Sequence, residues 1–131
     1  MINIVLDTNV IISASLSPDG NPAKIIDLIT ADENVKFYYS FEIFNEYVKV
    51  LSYSRFNFSE LKKNHVLNLI VKYGISINPI ISNQPFTDES DRIFYDIAKT
   101  ANAYLITGNI KHYPSEPFIL TPAQFLEMFE K

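Results

Sequence analysis

The sequence predicts an α/β protein with a parallel β-sheet and helices on both faces. Short apolar segments with the residue types of strands alternate with segments of helical periodicity. Strands that alternate with helices are joined by crossovers, so neighbouring strands run parallel. Two of these strands end directly on polar residues, at Asp7 and at Thr107-Gly108-Asn109. Ligands bind at the carboxyl ends of the strands in such sheets, so these residues are candidates for a functional site.

The predicted strands are short and apolar, and turn residues or capping residues bound most of them. The first is the clearest, because an apolar run stops at a charged residue and the apolar pattern resumes at Val10 in the element that follows. The turn cluster Pro18-Asp19-Gly20-Asn21-Pro22 separates the start of the chain from the next helix. The five predicted strands are Ile2–Leu6, Val35–Tyr39, 75–77, Tyr104–Ile106 and Ile119–Leu120.

Capping residues mark most of the helix boundaries. Ser, Thr and Asp accept hydrogen bonds from first-turn N–H groups, Pro suits the first turn, and Gly commonly ends a helix. Apolar residues at helical spacing follow each of these signals. Helices are predicted over 23–29, from a Ser40 cap to Leu51, from a Ser59 cap to Gly74, from Thr87 or Asp88 to Ala101, and from Pro122 onward.

Length and composition indicate one soluble domain over residues 1–131. The chain has 131 residues, is 47% hydrophobic and 20% charged, and contains no cysteine, which excludes a disulfide framework and a thiolate metal site. It has no apolar run of membrane-spanning length and no signal-peptide pattern, so a cytoplasmic location is expected. The net charge of −4 argues against a general electrostatic binder of nucleic acids. This charge does not exclude an enzyme that contacts nucleic acid through bound metal ions.

Several common kinds of site are absent from the sequence. It has neither of the glycine-rich patterns of phosphate-binding loops, and neither of its histidines, His65 and His112, has a second histidine three or four residues away. A haloacid-dehalogenase-like enzyme would need a second Asp where Asn9 stands, and the acceptor Asp and the Lys of a response receiver are missing. Acidic residues at the carboxyl edge of the sheet are what remains.

The acidic residues differ in where the periodicity places them. Asp7 lies at the end of a buried strand, where a carboxylate either caps the next element or holds a cation. Glu46 leans towards the sheet edge, whereas Glu42 is expected to point to water. Asp91 flanks the apolar stripe of its helix, and Asp96 is expected to be solvated. Carboxylates ~4 Å apart repel by about 4 kcal/mol at an effective dielectric of 20, so a cluster of them suits Mg²⁺ or Mn²⁺.

The order and spacing of these motifs resemble the PIN-domain ribonucleases. The resemblance rests on L-D-T-N-V at Asp7, E-Y-V-K-V-L at Glu46, D-E-S-D at Asp88 to Asp91, and L-I-T-G-N at the end of the fourth strand. The closing I-L-T-P-A-Q-F-L is similar to a PIN subgroup of type II toxins like VapC. The resemblance implies a strand order of roughly 3-2-1-4-5, one or two Mg²⁺ or Mn²⁺ ions, and hydrolysis of RNA phosphodiester bonds.

The resemblance also assigns roles to individual residues. Many members carry a fourth acid at the position of His112, so either Asp88 supplies that acid or water and substrate hold the second ion. The partners that the resemblance implies are an RNA substrate, a small antitoxin protein and, in a homodimer, a second copy of the chain. The alternative is a degenerate module that binds RNA or a partner protein without cutting. Asp7, Glu46 and Asp91 match the metal-binding acids, and Thr8, Asn9, Thr107 and Asn109 match polar residues that orient ligands.

Overall fold

The computed structural model describes residues 1–130 and shows a five-stranded, fully parallel sheet with helices on both faces. The strand order is 3-2-1-4-5, as the resemblance implied. Lys131, the last residue of the predicted domain, lies outside the described residues. The strands are β1 (Ile2–Leu6), β2 (Val35–Tyr39), β3 (Gly74–Ser76), β4 (Tyr104–Ile106) and β5 (Ile119–Leu120).

Six α-helices accompany the strands in the described part of the chain, and each of the two predicted serine caps begins one of them. The Ser40 hydroxyl accepts a hydrogen bond from the Ile43 N–H, and the Ser59 hydroxyl accepts one from the Lys62 N–H. Thr121 forms a reciprocal capping box with Gln124 before the last helix. The helices are α1 (Thr8–Leu16), α2 (Asn21–Ala31), α3 (Phe41–Leu51), α4 (Glu60–Tyr73), α5 (Arg92–Ala101) and α6 (Pro122–Phe129).

Two parts of the chain differ most from the sequence prediction, while α2 and β3 differ from it by only one or two residues at their ends. The apolar residues after Asp7 form α1, which begins at Thr8 without any intervening loop. The predicted helix start at Thr87 or Asp88 is wrong, because a 3-10 turn over Glu89–Asp91 precedes α5. Asp88 caps this short turn instead of the α-helix. Asp91 consequently becomes the N-terminal flanking residue of α5, with no side-chain capping bond of its own.

The central position of β1 explains its burial. Ile4, Val5 and Leu6 are completely buried, because β1 has β2 on one side and β4 on the other, while α5 packs against both β1 and β2. The Tyr47 hydroxyl on α3 donates a hydrogen bond to the Leu6 carbonyl at the end of the strand. No helix within residues 1–130 is both long and apolar enough to cross a membrane.

Gly74 marks a close approach between α4 and the sheet. A Cβ atom at this position would lie 2.5 Å from the Ile70 carbonyl oxygen and 2.6 Å from the Tyr39 ring. These distances are far below van der Waals contact, so only glycine lets the chain leave α4 and enter β3 against β2. The predicted helix end at Gly74 is confirmed, and β3 begins at this same residue.

The segment from β3 to α5 is held by the guanidinium group of Arg92. Its Nη1 donates to the carbonyl and hydroxyl oxygens of Ser82, its Nη2 donates to the Gln84 carbonyl, and both Nε and Nη2 donate to Glu89. All its N–H groups therefore have acceptors within the chain. This anchor fixes the loop against the start of α5.

Asp96 contradicts the expectation that it is solvated. It lies on α5 and is only 1% exposed. The loop after β3 covers this side of α5, since the Ile80 N–H donates to the Thr100 hydroxyl, which in turn donates to the Asp96 backbone carbonyl. The periodicity of α5 identified the side that packs on the sheet, but it could not show that a loop covers the other side.

Candidate active site at the carboxyl edge of the sheet

Asp7 is the most buried of the candidate acids and lies between β1 and α1. Its side chain is 7% exposed. Oδ1 accepts a hydrogen bond of 2.7 Å from the Thr8 N–H, so the carboxylate does cap α1. Oδ2 accepts bonds of 2.9 Å from the Thr107 and Tyr113 hydroxyls. Burial raises the pKa of Asp7 above its ordinary value, although these hydrogen bonds oppose the rise.

A polar network joins the residues after β1 to those after β4. The Asn9 side-chain oxygen accepts from the Gly108 N–H at 2.8 Å, and the Asn9 amide donates to the Thr107 hydroxyl at 3.4 Å. The Asn109 N–H also donates to the Thr107 hydroxyl, at 2.9 Å. Thr107 is fully buried, and its hydroxyl in turn donates a hydrogen bond to Asp7. The polar residues that the sequence placed after two different strands therefore meet at one edge.

Tyr113 is a site residue that the sequence interpretation missed. It lies just after the 3-10 turn over Ile110–His112, is 7% exposed and donates to Asp7. Burial and the nearby charges of Asp7 and Asp91 raise the pKa of its hydroxyl, so the group stays protonated and acts as a donor. An aromatic residue in a loop gives no sequence signal for this role, because its partner is 106 positions away in the chain.

Asp91 faces the same edge from the start of α5. Its side chain is 15% exposed, and the His112 Nδ1 lies 3.9 Å from its Oδ2. Burial, followed by the negative charges of Asp7 and Asp88, raises the pKa of Asp91 to about 6. Because like charges raise a carboxyl pKa only at short range, this shift indicates that the three acids share one electrostatic environment.

Asp88 is an exposed cap in this structure. Its Oδ1 accepts from the Ser90 N–H at 3.0 Å and from the Ser90 hydroxyl at 2.7 Å. These bonds lower its pKa below the ordinary value. His112, the residue in place of the family's fourth acid, is also exposed and adds a favourable charge interaction to both Asp88 and Asp91.

The side chains of Glu46 and Thr8, the remaining predicted residues, form no bond to the acids in the described part of the chain. Glu46 is half-buried on α3, next to Tyr47, whose hydroxyl reaches the end of β1. No hydrogen bond or ion pair within residues 1–130 joins Glu46 to Asp7 or Asp91. The Thr8 hydroxyl is buried without a partner in the same part of the chain, while its N–H bonds to Asp7.

The acids in this arrangement do not form a complete metal site by themselves. Within the described residues, no three acidic or histidine side chains converge closely enough to hold an ion. The donor set still suits Mg²⁺, which is commonly bound by one or two carboxylates and keeps several waters. Asp7 and Asp91 are carboxylates whose charges repel each other across this edge. The arrangement therefore fits an ion held by few protein ligands.

These acids lie at the carboxyl edge of a parallel sheet with the strand order 3-2-1-4-5. This is the arrangement that the resemblance to PIN-domain proteins implied. Residues 3–111 match the PIN domain, and the chain belongs to that family. PIN-domain proteins are typically metal-dependent nucleases. The chain is 32% identical over 151 aligned positions to the uncharacterized protein MJ1680 of Methanocaldococcus jannaschii, covering 99% of this chain and 93% of that protein.

A solved structure shares the fold. The crystal structure of VapBC2 from Rickettsia felis, bound to a DNA fragment from its promoter, matches with a TM-score of 0.60 and 17% sequence identity. The match covers 92% of this chain and 97% of the other. Identity at this level establishes the shared fold alone.

A Tyr113→Phe substitution measures how much the hydrogen bond from the buried Tyr113 hydroxyl to Asp7 contributes to stability. It removes one of two hydroxyl donors from a charged oxygen, and hydrogen bonds to charged groups contribute about 1.5–3 kcal/mol. We expect the free energy of unfolding in urea to fall by about 1–2 kcal/mol, because Thr107 still donates to the same oxygen. Tyr38→Phe, on a half-buried tyrosine of β2, is the matched control. Equal losses in the two variants would contradict a specific contribution of Tyr113.

The raised pKa of Asp91 makes the stability of the metal-free protein depend on pH. A carboxyl group with a folded-state pKa of about 6, above the unfolded 3.8, binds its proton more tightly when folded. Its stabilising contribution is complete below about pH 4 and is lost as the pH rises through about 6. In EDTA, the unfolding free energy of the wild type should therefore fall relative to that of Asp91→Asn between these pH values. A constant difference would show that Asp91 has an ordinary pKa.

Proposed function

We propose that this protein is a metal-dependent ribonuclease and acts as the toxin of a toxin–antitoxin pair. The observation that carries the proposal is the pairing of Asp7 and Asp91. One carboxylate is buried and fixed by three donors, and the charge of that carboxylate raises the pKa of the other. Such an arrangement disfavours the fully charged state of both groups unless a cation lies between them. Membership of the PIN family supports a nuclease activity for this edge.

Asp7 and Asp91 are the residues that would hold Mg²⁺ or Mn²⁺, with Glu46 and Asp88 as further ligands, direct or through water. When bound, the metal supplies a hydroxide at neutral pH and stabilises the charge on the phosphate. The Thr107 and Tyr113 hydroxyls fix the orientation of Asp7, and Asn9 and Asn109 fix Thr107. The chain needs no nucleophilic side chain for this hydrolysis, and it has no cysteine that could serve as one.

Cleavage of a labelled single-stranded RNA tests the nuclease proposal. We expect cleavage with Mg²⁺ or Mn²⁺, none with EDTA, and products that carry a 5′-phosphate. Asp27→Asn, a change of the same type in a different groove, serves as the control for the effects of the substitution itself. A folded protein that leaves every RNA in a varied pool intact with both metals would overturn the proposal.

The second candidate function is a module that binds RNA or a protein without cutting. Asp88 favours it, because its carboxylate is already occupied by Ser90, and so does His112, which stands in place of an acid. RNA binding that is retained in EDTA and produces no cleavage with either metal would support this candidate.

Substitutions at Asp88 and His112 test whether Asp88 supplies the fourth acid, which many family members carry at the position of His112. Asp88→Asn keeps an oxygen that can cap Ser90 but removes the charge, so we expect stability to change little and metal-dependent cleavage to fall about 10–100-fold. His112→Asp restores an acid beside Asp91 and should recover part of the loss. If Asp88→Asn leaves the cleavage rate unchanged, Asp88 only caps the 3-10 turn and is not a metal ligand. Failure of His112→Asp to recover activity or tighten metal binding would show that the loop after β4 does not serve the site.

An apolar groove between α1, α2 and α4 is our candidate surface for the antitoxin. It has a volume of about 290 Å³, and Ile11, Ile26, Val66 and Leu69 contribute to its walls. The VapBC2 assembly of Rickettsia felis, which shares the fold, contains an antitoxin. A neighbour-encoded small protein should copurify with the wild type and relieve growth inhibition, and Val66→Asp should weaken both effects. Harmless expression of the active enzyme alone would overturn the toxin assignment but not the nuclease.

A further inference from the structure

The end of the hairpin that α3 and α4 form is a positively charged part of an acidic chain. Residues 49–63, the hairpin tip, carry four of the eleven Lys and Arg residues but only one of the fifteen acidic residues, so their net charge is +3 in a chain of net charge −4. Glu60, the single acid, forms an ion pair with Lys63. Within residues 1–130, the other cations of the tip form no ion pair, and they are Lys49, Arg55 and Lys62. The hairpin tip therefore attracts a polyanion locally, although the whole chain is acidic.

Three aromatic rings stack in the loop of the hairpin tip. The ring centroids of Tyr53 and Phe56 are 6.4 Å apart at an angle of 10°, and those of Phe56 and Phe58 are 5.8 Å apart at 20°. Phe56 and Phe58 pack against the core and hold the stack in place. The exposed Arg55 guanidinium lies 5.1 Å from the Tyr53 ring centroid and 4.9 Å from the Phe56 ring centroid, within the range of cation–π attraction. The half-buried Tyr53 and the exposed Arg55 therefore form the accessible end of the stack.

Local hydrogen bonds fix the backbone that presents this stack. The Phe56 N–H donates to the Tyr53 carbonyl at 3.2 Å, and the Asn57 N–H donates to the Ser54 carbonyl at 3.1 Å. Asn57 then takes the left-handed conformation, with a φ of 51°, which asparagine adopts more readily than most residues. The stack is thus ordered before a ligand arrives, which lowers the entropic cost of binding.

Helix α3 connects the hairpin tip to the candidate active site. The Tyr47 hydroxyl on α3 donates to the carbonyl of Leu6, the residue before Asp7. α3 ends at Leu51, four residues and about 6 Å beyond Tyr47, and the loop of the tip follows directly. An extended ligand that crosses the active site can therefore reach the hairpin tip.

The side chains of the tip select the class of polyanion. Lysines contact phosphates, whereas aromatic rings and guanidinium planes stack on bases that a duplex does not hide. An acidic protein segment would pair with the cations but would leave the stack of rings without a role. We propose that the hairpin tip binds single-stranded RNA, with Arg55 and Tyr53 stacking on a base. Lys49 and Lys62 contact the flanking phosphates. The choice of RNA rests on the proposed ribonuclease function, to which the tip adds a binding site outside the active site.

Fluorescence anisotropy with a short labelled single-stranded RNA tests this proposal on the full chain. The titration is made in EDTA, so that metal-dependent cleavage does not shorten the RNA. We expect a Kd on the order of 10 µM at about 50 mM salt, weakening as the salt concentration rises. An abasic oligomer with the same number of phosphates is the matched polyanion without bases. It should bind about 5–100-fold more weakly, because this is the usual contribution of one base stacked on an aromatic side chain.

Substitutions locate the bound RNA. Arg55→Gln should raise the Kd about 10-fold and reduce the slope of log Kd against log salt by about 0.7, the contribution of one phosphate contact on a single strand. Tyr53→Leu should raise the Kd at least about 5-fold without changing the slope. Lys99→Gln is the matched control, because Lys99 is also an exposed cation over an aromatic ring, that of Phe118, but lies near the end of α5. It should change the Kd by less than about 2-fold.

The outcomes separate this inference from the proposed function. Arg55 is exposed, so its variant should fold. An unchanged Kd for Arg55→Gln, or equal binding of the abasic oligomer, would overturn the inference even if the protein cleaves RNA. Binding that Arg55→Gln weakens, in a protein that cuts no RNA, would support the inference and count against the nuclease. If Arg55→Gln leaves the RNA Kd unchanged but abolishes copurification of the neighbour-encoded protein, the tip binds a protein instead and the inference is overturned.

Discussion

The Asp7→Asn variant is expected to lose metal-dependent RNA cleavage while remaining folded. Asp7 is buried and fixed by the Thr8 N–H and the Thr107 and Tyr113 hydroxyls, and it would be the central metal ligand. Changes to residues that only orient a ligand cost about 10–100-fold, so loss of the ligand itself should exceed about 100-fold. The cleavage rate with saturating Mn²⁺ measures the effect.

The same variant should be more stable than the wild type in EDTA. Burial raises the pKa of Asp7, which means that the folded state disfavours its charge, and Asn removes that charge at neutral pH. The metal-free melting temperature should therefore rise, whereas Asp27→Asn should change neither stability nor cleavage. An Asp7→Asn enzyme that cuts at the wild-type rate would remove Asp7 from the site.

The Gly74→Ala variant is expected to have the largest effect on stability. Its new methyl group would meet the Ile70 carbonyl at 2.5 Å and the half-buried Tyr39 ring at 2.6 Å, and relief of the first contact requires the backbone of α4 to shift. Overpacking of this kind destabilises by about 1–3 kcal/mol, which for a chain of this length lowers the melting temperature by about 5–10 °C.

Gly20→Ala is the matched control for this experiment. A Cβ there would meet its neighbours at 3.5 Å or more, which is ordinary contact, and Gly20 has a φ of −82° that any residue adopts. We expect the free energy of unfolding to change by no more than about 0.5 kcal/mol. Alanine lowers the conformational entropy of the unfolded chain, which is stabilising, but it is a poorer N-cap than glycine, which is destabilising. Equal effects of the two substitutions would mean that α4 can shift away from β3.

The parts of the fold that the sequence predicted are those with local signals. Ser40 and Ser59 cap helices because their hydroxyls bond to N–H groups three residues away, and Gly74 ends α4 because a larger residue would clash there. The helix α1 was not predicted although Asp7 caps it, because its Val and Ile residues also suit strands and Val10, Ile11 and Ile12 are all buried, which leaves no helical periodicity.

The parts that could not be predicted depend on contacts between distant segments. Tyr113 and Asp7 are joined only because β4 pairs with β1, and Asp96 is buried only because the loop after β3 lies over α5. Asp88 was interpreted as part of a helix, but the chain forms a 3-10 turn there and uses the side chain to bond Ser90. Whether Asp88 also reaches a metal stays a prediction.

The pairing of β1 with β4 determines how late in synthesis the environment of Asp7 can form. Asp7 is synthesised well before its two hydroxyl donors, which follow 100 and 106 positions later in the chain. Contacts this distant in the chain form late, because the intervening residues must be synthesised first and closing a long loop costs entropy. A nascent or truncated chain that stops before Thr107 therefore lacks both hydroxyl groups that donate hydrogen bonds to Asp7. The proposed ribonuclease would therefore have an incomplete active site on the ribosome until the segment with Thr107 and Tyr113 has been made.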